Sequence, residues 1–358
     1  RFENPIKIRK DIKKGIKKKV TEISDRSKAI FEAINNLNTG EILLVAGKGH
    51  EKVQDFGERK IFFSDKKNIL NAIKKKNLTL SNNLKINIIR EASDYKKFPS
   101  NLSIKLARIN SKEVEKNDIF FAIKGKKNDG NKFVAQSFKK KASIAIVNKI
   151  QKNFKNKPQI KVKNTLKFLS DISKIFRNNI NTKIIGITGS CGKTTLKEML
   201  GNCFKKVSKV GVSPKSYNNK YGVPLSLFNL NKENDFGVLE VGMDKKGEID
   251  YLSKIVQPDV SVITNINYAH AKNFNNIKDI ALAKAEIIHN TKSDGFVVLN
   301  ADDIFYSLHR KIALKKKLRV VTFGIKSKKS DVKLIDIKKR NSFYKIRIRI
   351  QNAEKTFL

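Results

Sequence analysis

The chain has 358 residues, 39% of them hydrophobic, enough for packed cores and for two or three domains rather than one. Lys and Arg number 77 against 33 Asp and Glu, but the lysines run along the whole length beside abundant Asn and Ile. The excess therefore reads as compositional drift, not as a nucleic-acid face, and no basic-aromatic module accompanies it. No run approaches the eighteen or so apolar residues of a spanning helix. Two cysteines, Cys191 and Cys203, without metal-type spacing suit a reducing cytoplasm.

In chain order, three segments separate. Residues 1–77 contain a buried-strand candidate, Glu41-Ile42-Leu43-Leu44-Val45-Ala46, running into Gly47-Lys48-Gly49-His50-Glu51. They close on Lys74-Lys75-Lys76-Asn77, which reads as a hydrophilic linker. Residues 78–181 hold short apolar runs at 119–123 and 142–147, which predict strands between helices. Residues 182–358 carry the strongest pattern. Lys183-Ile184-Ile185-Gly186-Ile187-Thr188 predicts a buried strand, and a glycine turn follows. Leu196, Met199, Leu200, Cys203, Phe204 and Val207, at three- and four-residue intervals, then predict a helix. Further strands are expected at 238–241, 260–264, 296–299 and 320–323. Strand-helix alternation of this kind predicts a multi-domain α/β fold: a central, mostly parallel sheet flanked by helices, with smaller α/β domains.

Gly189-Ser190-Cys191-Gly192-Lys193-Thr194-Thr195 lies between the predicted strand and helix, the context a phosphate-binding P-loop requires. Small residues let main-chain amides close around phosphate oxygens, and the helix N-terminus adds its positive end. Lys193 is expected on the outer phosphates and the Thr194 hydroxyl on a magnesium ion. Gly186 lies one residue too far back for the general spacing, so the fit is to the shorter T-G-x-x-G-K-T form.

With that turn the sequence resembles the Mur ligase family, and other segments match in order. Ser216-Tyr217-Asn218-Asn219-Lys220-Tyr221-Gly222-Val223-Pro224 is similar to the family's Asn-Asn-x-x-Gly-x-Pro segment. Leu239-Glu240-Val241-Gly242, followed by Gly247-Glu248-Ile249, resembles its acidic strand end. Thr264-Asn265-Ile266-Asn267-Tyr268-Ala269-His270 resembles Thr-Asn-x-x-x-x-His, and Ala283-Lys284-Ala285-Glu286-Ile287 the helix of the modified lysine. Asn300-Ala301-Asp302-Asp303 resembles the segment near adenine. The wording is closest to the subgroup that adds D-alanyl-D-alanine. Gly125-Lys126-Lys127-Asn128-Asp129-Gly130 resembles its loop on the UDP-sugar side. Asn110-Ser111-Lys112 stands where that subgroup has Asp-Ser-Arg, and Ala271-Lys272-Asn273-Phe274-Asn275 replaces its Leu-Glu-x-Phe-Gly. Residues 1–77 resemble instead the C-terminal domain of the subgroup that adds the preceding residue, with Arg1, Gly47 and Glu51 expected to face that amino acid.

The resemblance implies three parts: a partial C-terminal ligase domain at 1–77, a UDP-MurNAc-binding domain at 78–181 and a central ATP-binding domain at 182–358. It implies a fusion of two consecutive enzymes of cytoplasmic peptidoglycan precursor synthesis, beginning inside the first and stopping before the closing domain of the second. ATP with Mg2+ phosphorylates the carboxylate of UDP-MurNAc-tripeptide, and the amine of D-Ala-D-Ala attacks the acyl phosphate. Lys193, Glu240, His270 and Lys284 are implied as catalytic. Thr194, Glu240, His270 and a carbamylated Lys284 are implied around metal. The nucleotide is expected on Gly189 to Thr195, Asn300 and Asp303, and the other substrates on Ser111, Asp129, Gly130, Asn218 and Asn219. The alternatives are a folylpolyglutamate-type ligase, a basic P-loop protein that binds nucleic acid, and a remnant that binds without turnover. No specific nucleic-acid partner and no membrane insertion are expected.

Overall fold

The computed structural model describes all residues except 1–4, 39, 49–50, 56–59, 94, 96–97, 99–101, 126–127, 269–272 and 341–342. Two compact units divide at Ser81/Asn82. In the first, α1 (Pro5–Lys14) and α2 (Arg26–Asn36) precede a hairpin of β1 (Val53–Asp55) and β2 (Lys60–Phe62), then α3 (Asp65–Ala92), which runs through the division. Asp25 caps α2 by accepting from the Lys28 amide at 2.8 Å. Ile30, Ile34 and Ala72 form a small core.

Two expectations fail in this unit. Lys74 to Asn77 lie inside α3, not in a linker: lysine is a good helix former, and a charged run is tolerated on a solvated helix face. Residues 41–46 form no strand. Leu43 and Val45 turn toward the small core while Ile42 and Leu44 are exposed. The alternation of a strand is there, but among the described residues no neighbouring backbone pairs with it.

The second unit opens with a four-stranded parallel sheet of β3 (Ala107–Arg108), β4 (Ile119–Phe121), β5 (Ile144–Val147) and β6 (Gln159–Lys161). The short helix α4 (Val134–Lys139) covers one face, where Val134 and Phe138 pack on Phe120, Ala145 and Val147. The opposite face, with Ile119, Phe121, Ile144 and Ile146, joins the main core under α5 (Thr165–Asn178). Asn164 caps α5 through the Lys167 amide at 2.9 Å.

The chain then builds β7 (Lys183–Thr188), α6 (Lys193–Phe204), β8 (Val210–Val212), α7 (Gly222–Phe228), β9 (Phe236–Glu240), α8 (Glu248–Val256), β10 (Val260–Ile263), α9 (Ile277–His289), β11 (Phe296–Asn300), α10 (Tyr306–Lys315) and β12 (Arg319–Gly324). It ends with β13 (Val332–Arg340), β14 (Phe343–Ile350) and β15 (Ala353–Phe357). One sheet of order β15-β14-β13-β12-β11-β10-β7-β9-β8 results. It is parallel from β8 to β13, and its last two pairings are antiparallel. Side chains alternate across it as strand geometry requires. Ile184, Leu239, Ile263, Val297 and Leu299 enter the main core with α7 to α10, and Ile185, Ile187, Val238 and Val262 face α6.

On α6 the apolar periodicity overstates burial. Leu196, Leu200 and Phe204 pack on the sheet, whereas Met199, Cys203 and Val207 are exposed. The antiparallel β13–β15 extension was not expected either. Among the described residues no helix is long and apolar enough to cross a membrane.

Below the sheet, buried Arg177 of α5 donates to the Val256, Gln257 and Thr182 carbonyls and to Asp259 at 2.7 Å, and Asp259 accepts from the Ile184 amide. This network fastens α5 to the start of β7, at the end opposite the phosphate turn. Lys85 of α3 is 4% exposed, with its ammonium 5.5 Å from the ring centroids of both Phe176 and Phe228. Burial lowers its pKa from 10.5 to about 8. Between those values the unfolded chain holds the proton and the folded chain releases it, so this group makes stability rise with pH across that window. Lys85→Met is expected to stabilise the protein at pH 7 by roughly 1 to 4 kcal/mol. The melting-temperature gap to wild type should shrink as pH rises past 8, and a gap that stays constant would contradict this account.

Candidate active site

β7 is buried along nearly its whole length and pairs in parallel with β9 on one side and β10 on the other. The chain leaves it for β8 and β9 and later returns across it to β10. Crossovers therefore diverge at its carboxyl end, where open sheets form a ligand crevice.

Gly189 has φ +147°, and a Cβ there would lie 1.9 Å from Thr264 Oγ1, so no side chain fits. Gly192, at φ +81°, starts α6 and no side chain caps that helix. Its first-turn N–H groups are thus left for an anionic ligand. The 264–267 segment braces the turn from one side. The Ser190 amide donates to the Asn265 carbonyl at 2.9 Å, the Cys191 amide to Asn265 Oδ1 at 3.1 Å, and Thr264 Oγ1 to the Cys191 carbonyl at 2.6 Å. The Asn267 amide donates to Ser190 Oγ at 2.8 Å. Lys193 Nζ folds onto the Gly189 carbonyl at 2.9 Å, a contact that a phosphate oxygen can replace. Thr195 lies one residue beyond Thr194, on the other side of the turn from Lys193's cleft.

Glu240 ends β9 and is 1% exposed. Its Oε2 accepts from Thr194 Oγ1 at 2.8 Å and its Oε1 from Asn218 Nδ2 at 2.7 Å. A hydroxyl and a carboxylate oxygen meet there, hard donors of the kind that would hold a magnesium ion and let it neutralise phosphate charge. Among the described residues no group of three His, Cys, Asp or Glu side chains offers an all-protein metal cage.

A cleft of about 800 Å³ opens beside this pair, lined by Lys193, Asn218, Asn219, Tyr221, Gly242 and Lys284 among others. Asn219 Oδ1 accepts from the Tyr221 and Gly222 amides at 3.1 and 3.0 Å, so its carbonyl end starts α7. Lys284 of α9 is 2% exposed and has no hydrogen-bond partner among the described residues. Burial, reinforced by the charge of Lys193, pushes its pKa down to about 7.

A second, largely apolar cavity of about 680 Å³ flanks the turn on its other side, lined by Gly192, Thr195, Leu196, Thr264, Asn300 and Phe323 among others. Asp303 is not in that lining: its carboxylate accepts from the Ile266 and Phe305 amides at 2.7 and 2.8 Å and holds the ends of β10 and β11 in place. Glu240, Lys193, Thr194, Asn218, Asn219, Lys284 and Asn300 thus gather at one end of the sheet.

Ser111, Asp129 and Gly130 line neither cavity. Buried Ser111 donates to Gln136 at 2.7 Å, Asp129 caps the turn at Asn131, and a Cβ on Gly130 would lie 2.6 Å from the Ile123 amide nitrogen. In the first unit, Gly47 has φ +104° and Glu51 pairs with Lys48 at 3.4 Å. Arg1 and His270 lie outside the described residues. The bracing roles of Thr264, Asn265 and Asn267 were not anticipated. Their contacts reach across tens of residues, and only the Thr-Asn wording of one segment hinted at them.

Comparison with known proteins agrees with this geometry. The Mur ligase middle domain matches residues 187–357, and the catalytic domain of the Mur ligase family matches residues 103–177. A UDP-N-acetylmuramoyl-tripeptide–D-alanyl-D-alanine ligase of Buchnera aphidicola (subsp. Acyrthosiphon pisum) is 36% identical over 222 residues, covering 62% of this chain and 48% of that protein. The enzyme of that name from Bacillus subtilis is 35% identical over 196 residues, covering 54% and 42%. Among solved structures, MurF of Acinetobacter baumannii superposes with a TM-score of 0.66 at 30% identity, over 75% of this chain and 59% of that one. MurF of Thermotoga maritima in complex with ADP gives 0.61 at 29%, over 72% and 58%. The chain spans about half the length of the curated relatives it matches. With two domain matches in family order over most of its second unit, the chain belongs to the Mur ligase family.

Proposed function

We propose that the second unit is the nucleotide- and UDP-substrate-binding part of an ADP-forming peptide ligase that joins D-alanyl-D-alanine to UDP-MurNAc-tripeptide. The observation that carries this reading is the Thr194–Glu240–Asn218 cluster beside the uncapped start of α6. The names of the relatives supply the substrates, and the ADP complex of a MurF supports ATP as the phosphoryl donor.

The γ-phosphoryl group of ATP passes to the peptide carboxylate, ADP leaves, the dipeptide amine attacks the acyl carbon, and phosphate departs with loss of a proton from nitrogen. Two anions must meet, so the site's task is charge neutralisation and alignment. Lys193 serves the outer phosphates, and the α6 amides serve the oxygens between them. Thr194 and Glu240 hold Mg2+, which offsets phosphate charge. Asn218 orients Glu240, and His270 is proposed to support a second metal site. The apolar cavity beside Asn300 suits the adenine, and the cleft lined by Asn219 and Lys284 suits the reacting carboxylate.

Lys284 is proposed as a carbamate. Its neutral amine adds to carbon dioxide and releases one proton, turning a repelling cation into a metal-facing anion. A pKa near 7 supplies the neutral amine at ordinary pH. Ser111, Asp129 and Gly130 are proposed to shape the UDP-sugar side, and the first unit is proposed as a piece of a preceding ligase.

Calorimetry should show ATP binding with Mg2+, and Lys193→Met should weaken it by about tenfold or more, since hydrogen bonds to charged groups contribute roughly 1.5 to 3 kcal/mol. Equal affinity in the folded variant would remove the basis of the assignment. A protein soaked in 13C-bicarbonate should give a carbamate resonance that grows from about pH 6 to 8 as the amine deprotonates and is absent in Lys284→Arg. A resonance that persists in the variant rules out this position. Phosphate release from the full-length protein should require both UDP-MurNAc-tripeptide and D-Ala-D-Ala. Release with a folate and glutamate instead would transfer the assignment to the folylpolyglutamate type.

A further inference from the structure

One charged side chain near the phosphate turn has no part in the mechanism above. Lys197 follows Thr194 by three residues and Lys193 by four, so it continues their face of α6 by one turn. It is 0% exposed, which is rare for lysine. Its ammonium donates to the Lys215 carbonyl and lies 3.2 Å from Glu198, whose carboxylate is mostly solvated.

Lys215 sits in the 213–218 loop between β8 and α7, with φ +49°, a left-handed conformation uncommon outside glycine. The same loop supplies two partners of Glu240. Ser213 Oγ, 1% exposed, accepts from the Glu240 amide at 3.3 Å, and Asn218 donates to the Glu240 carboxylate at 2.7 Å. The loop's ends are tied to β9 and the residues just past it, the Ser213 amide to the Val238 carbonyl at 3.0 Å and the Gly242 amide to the Asn218 carbonyl at 2.7 Å, whereas between them the main-chain bonds are local, the Tyr217 amide to the Pro214 carbonyl and the Asn218 amide to the Ser216 carbonyl.

We propose that Lys197 is a positioning residue for the Mg2+-nucleotide site. Its buried ammonium anchors the 213–218 loop to α6, and so fixes Asn218 and Glu240 relative to Thr194. Burial gives that bond its strength, because no water competes for the ammonium. Thr194 and Lys197 share one helix, so the hydroxyl that meets Glu240 and the ammonium that holds the loop move as one body. With the anchor cut, residues 214–217 are free to shift, and the Asn218 side chain loses that support while its carbonyl stays bonded to the Gly242 amide, so its bond to Glu240 is held less firmly. Ligand oxygens then no longer stand at a fixed spacing, and the ion is held less well while the loop amides that meet phosphate stay in place.

The inference rests on the nucleotide reading, and one titration separates the two. ATP binding is measured by calorimetry against Mg2+ concentration for wild type and Lys197→Met. In the variant, ATP affinity without Mg2+ should stay within about twofold of wild type, while the Mg2+ needed for half-maximal tight binding should rise by about tenfold. Hydrogen exchange of the 216–218 amides should quicken in the same variant. Lys197→Gln, which keeps an N–H donor, should recover part of the Mg2+ response. An unchanged Mg2+ requirement in folded Lys197→Met overturns the proposal, whereas a wild type that binds no ATP at all overturns the reading beneath it. Should Lys197→Met not fold, exchange in the unliganded wild type decides: slow 216–218 amides support the anchor, and amides as fast as those of exposed Lys328 and Lys329 refute it.

Discussion

The contact between Glu240 and Thr194 joins the first turn of α6 to the end of β9, with Asn218 closing it from a third piece of chain. A carboxylate that is 1% exposed is costly to bury unless its oxygens are bonded. Here one oxygen takes a hydroxyl and the other an amide, both neutral donors. Neutral partners leave the carboxylate's charge uncancelled, so a divalent cation gains from binding there. The same burial that costs folding energy keeps the oxygens in place.

Two lysines deepen that logic from the opposite direction. Lys284 is buried beside Lys193, and both line the cleft, so the two repel and Lys284 gives up its proton near neutral pH. Lys85 is buried too, but over aromatic rings and away from the cleft. There its lowered pKa is a packing consequence. Depressed lysine pKa values alone thus do not mark function, and position relative to the phosphate turn separates the two cases.

The turn itself depends on close approach. Gly189 must be bare because the end of β10 sits against it, and the Thr264 hydroxyl that would clash is also the group that bonds the Cys191 carbonyl. The loop is braced by side-chain and main-chain hydrogen bonds from residues 264–267. Below, the Arg177–Asp259 network pins the other end of β7. The strand is therefore held at both ends, and the site inherits its precision from the sheet.

The sequence by itself made the turn legible, because its chemistry is local: two glycines three residues apart, a lysine and a threonine between an apolar strand and an apolar-periodic helix. It also determined the parallel sheet, whose buried strands read as short β-branched runs. It misjudged residues 41–46, since a lone apolar run does not reveal whether a neighbouring strand exists to pair with it. It misjudged residues 74–77, since lysines are as content in a helix as in a linker. Tertiary structure alone decided that Asn218 serves Glu240, that Asp303 spends its carboxylate on main-chain amides, and that Lys197 is buried while Met199 beside it is exposed. Each of these depends on which distant backbone comes within three ångströms, and residue type does not encode that distance.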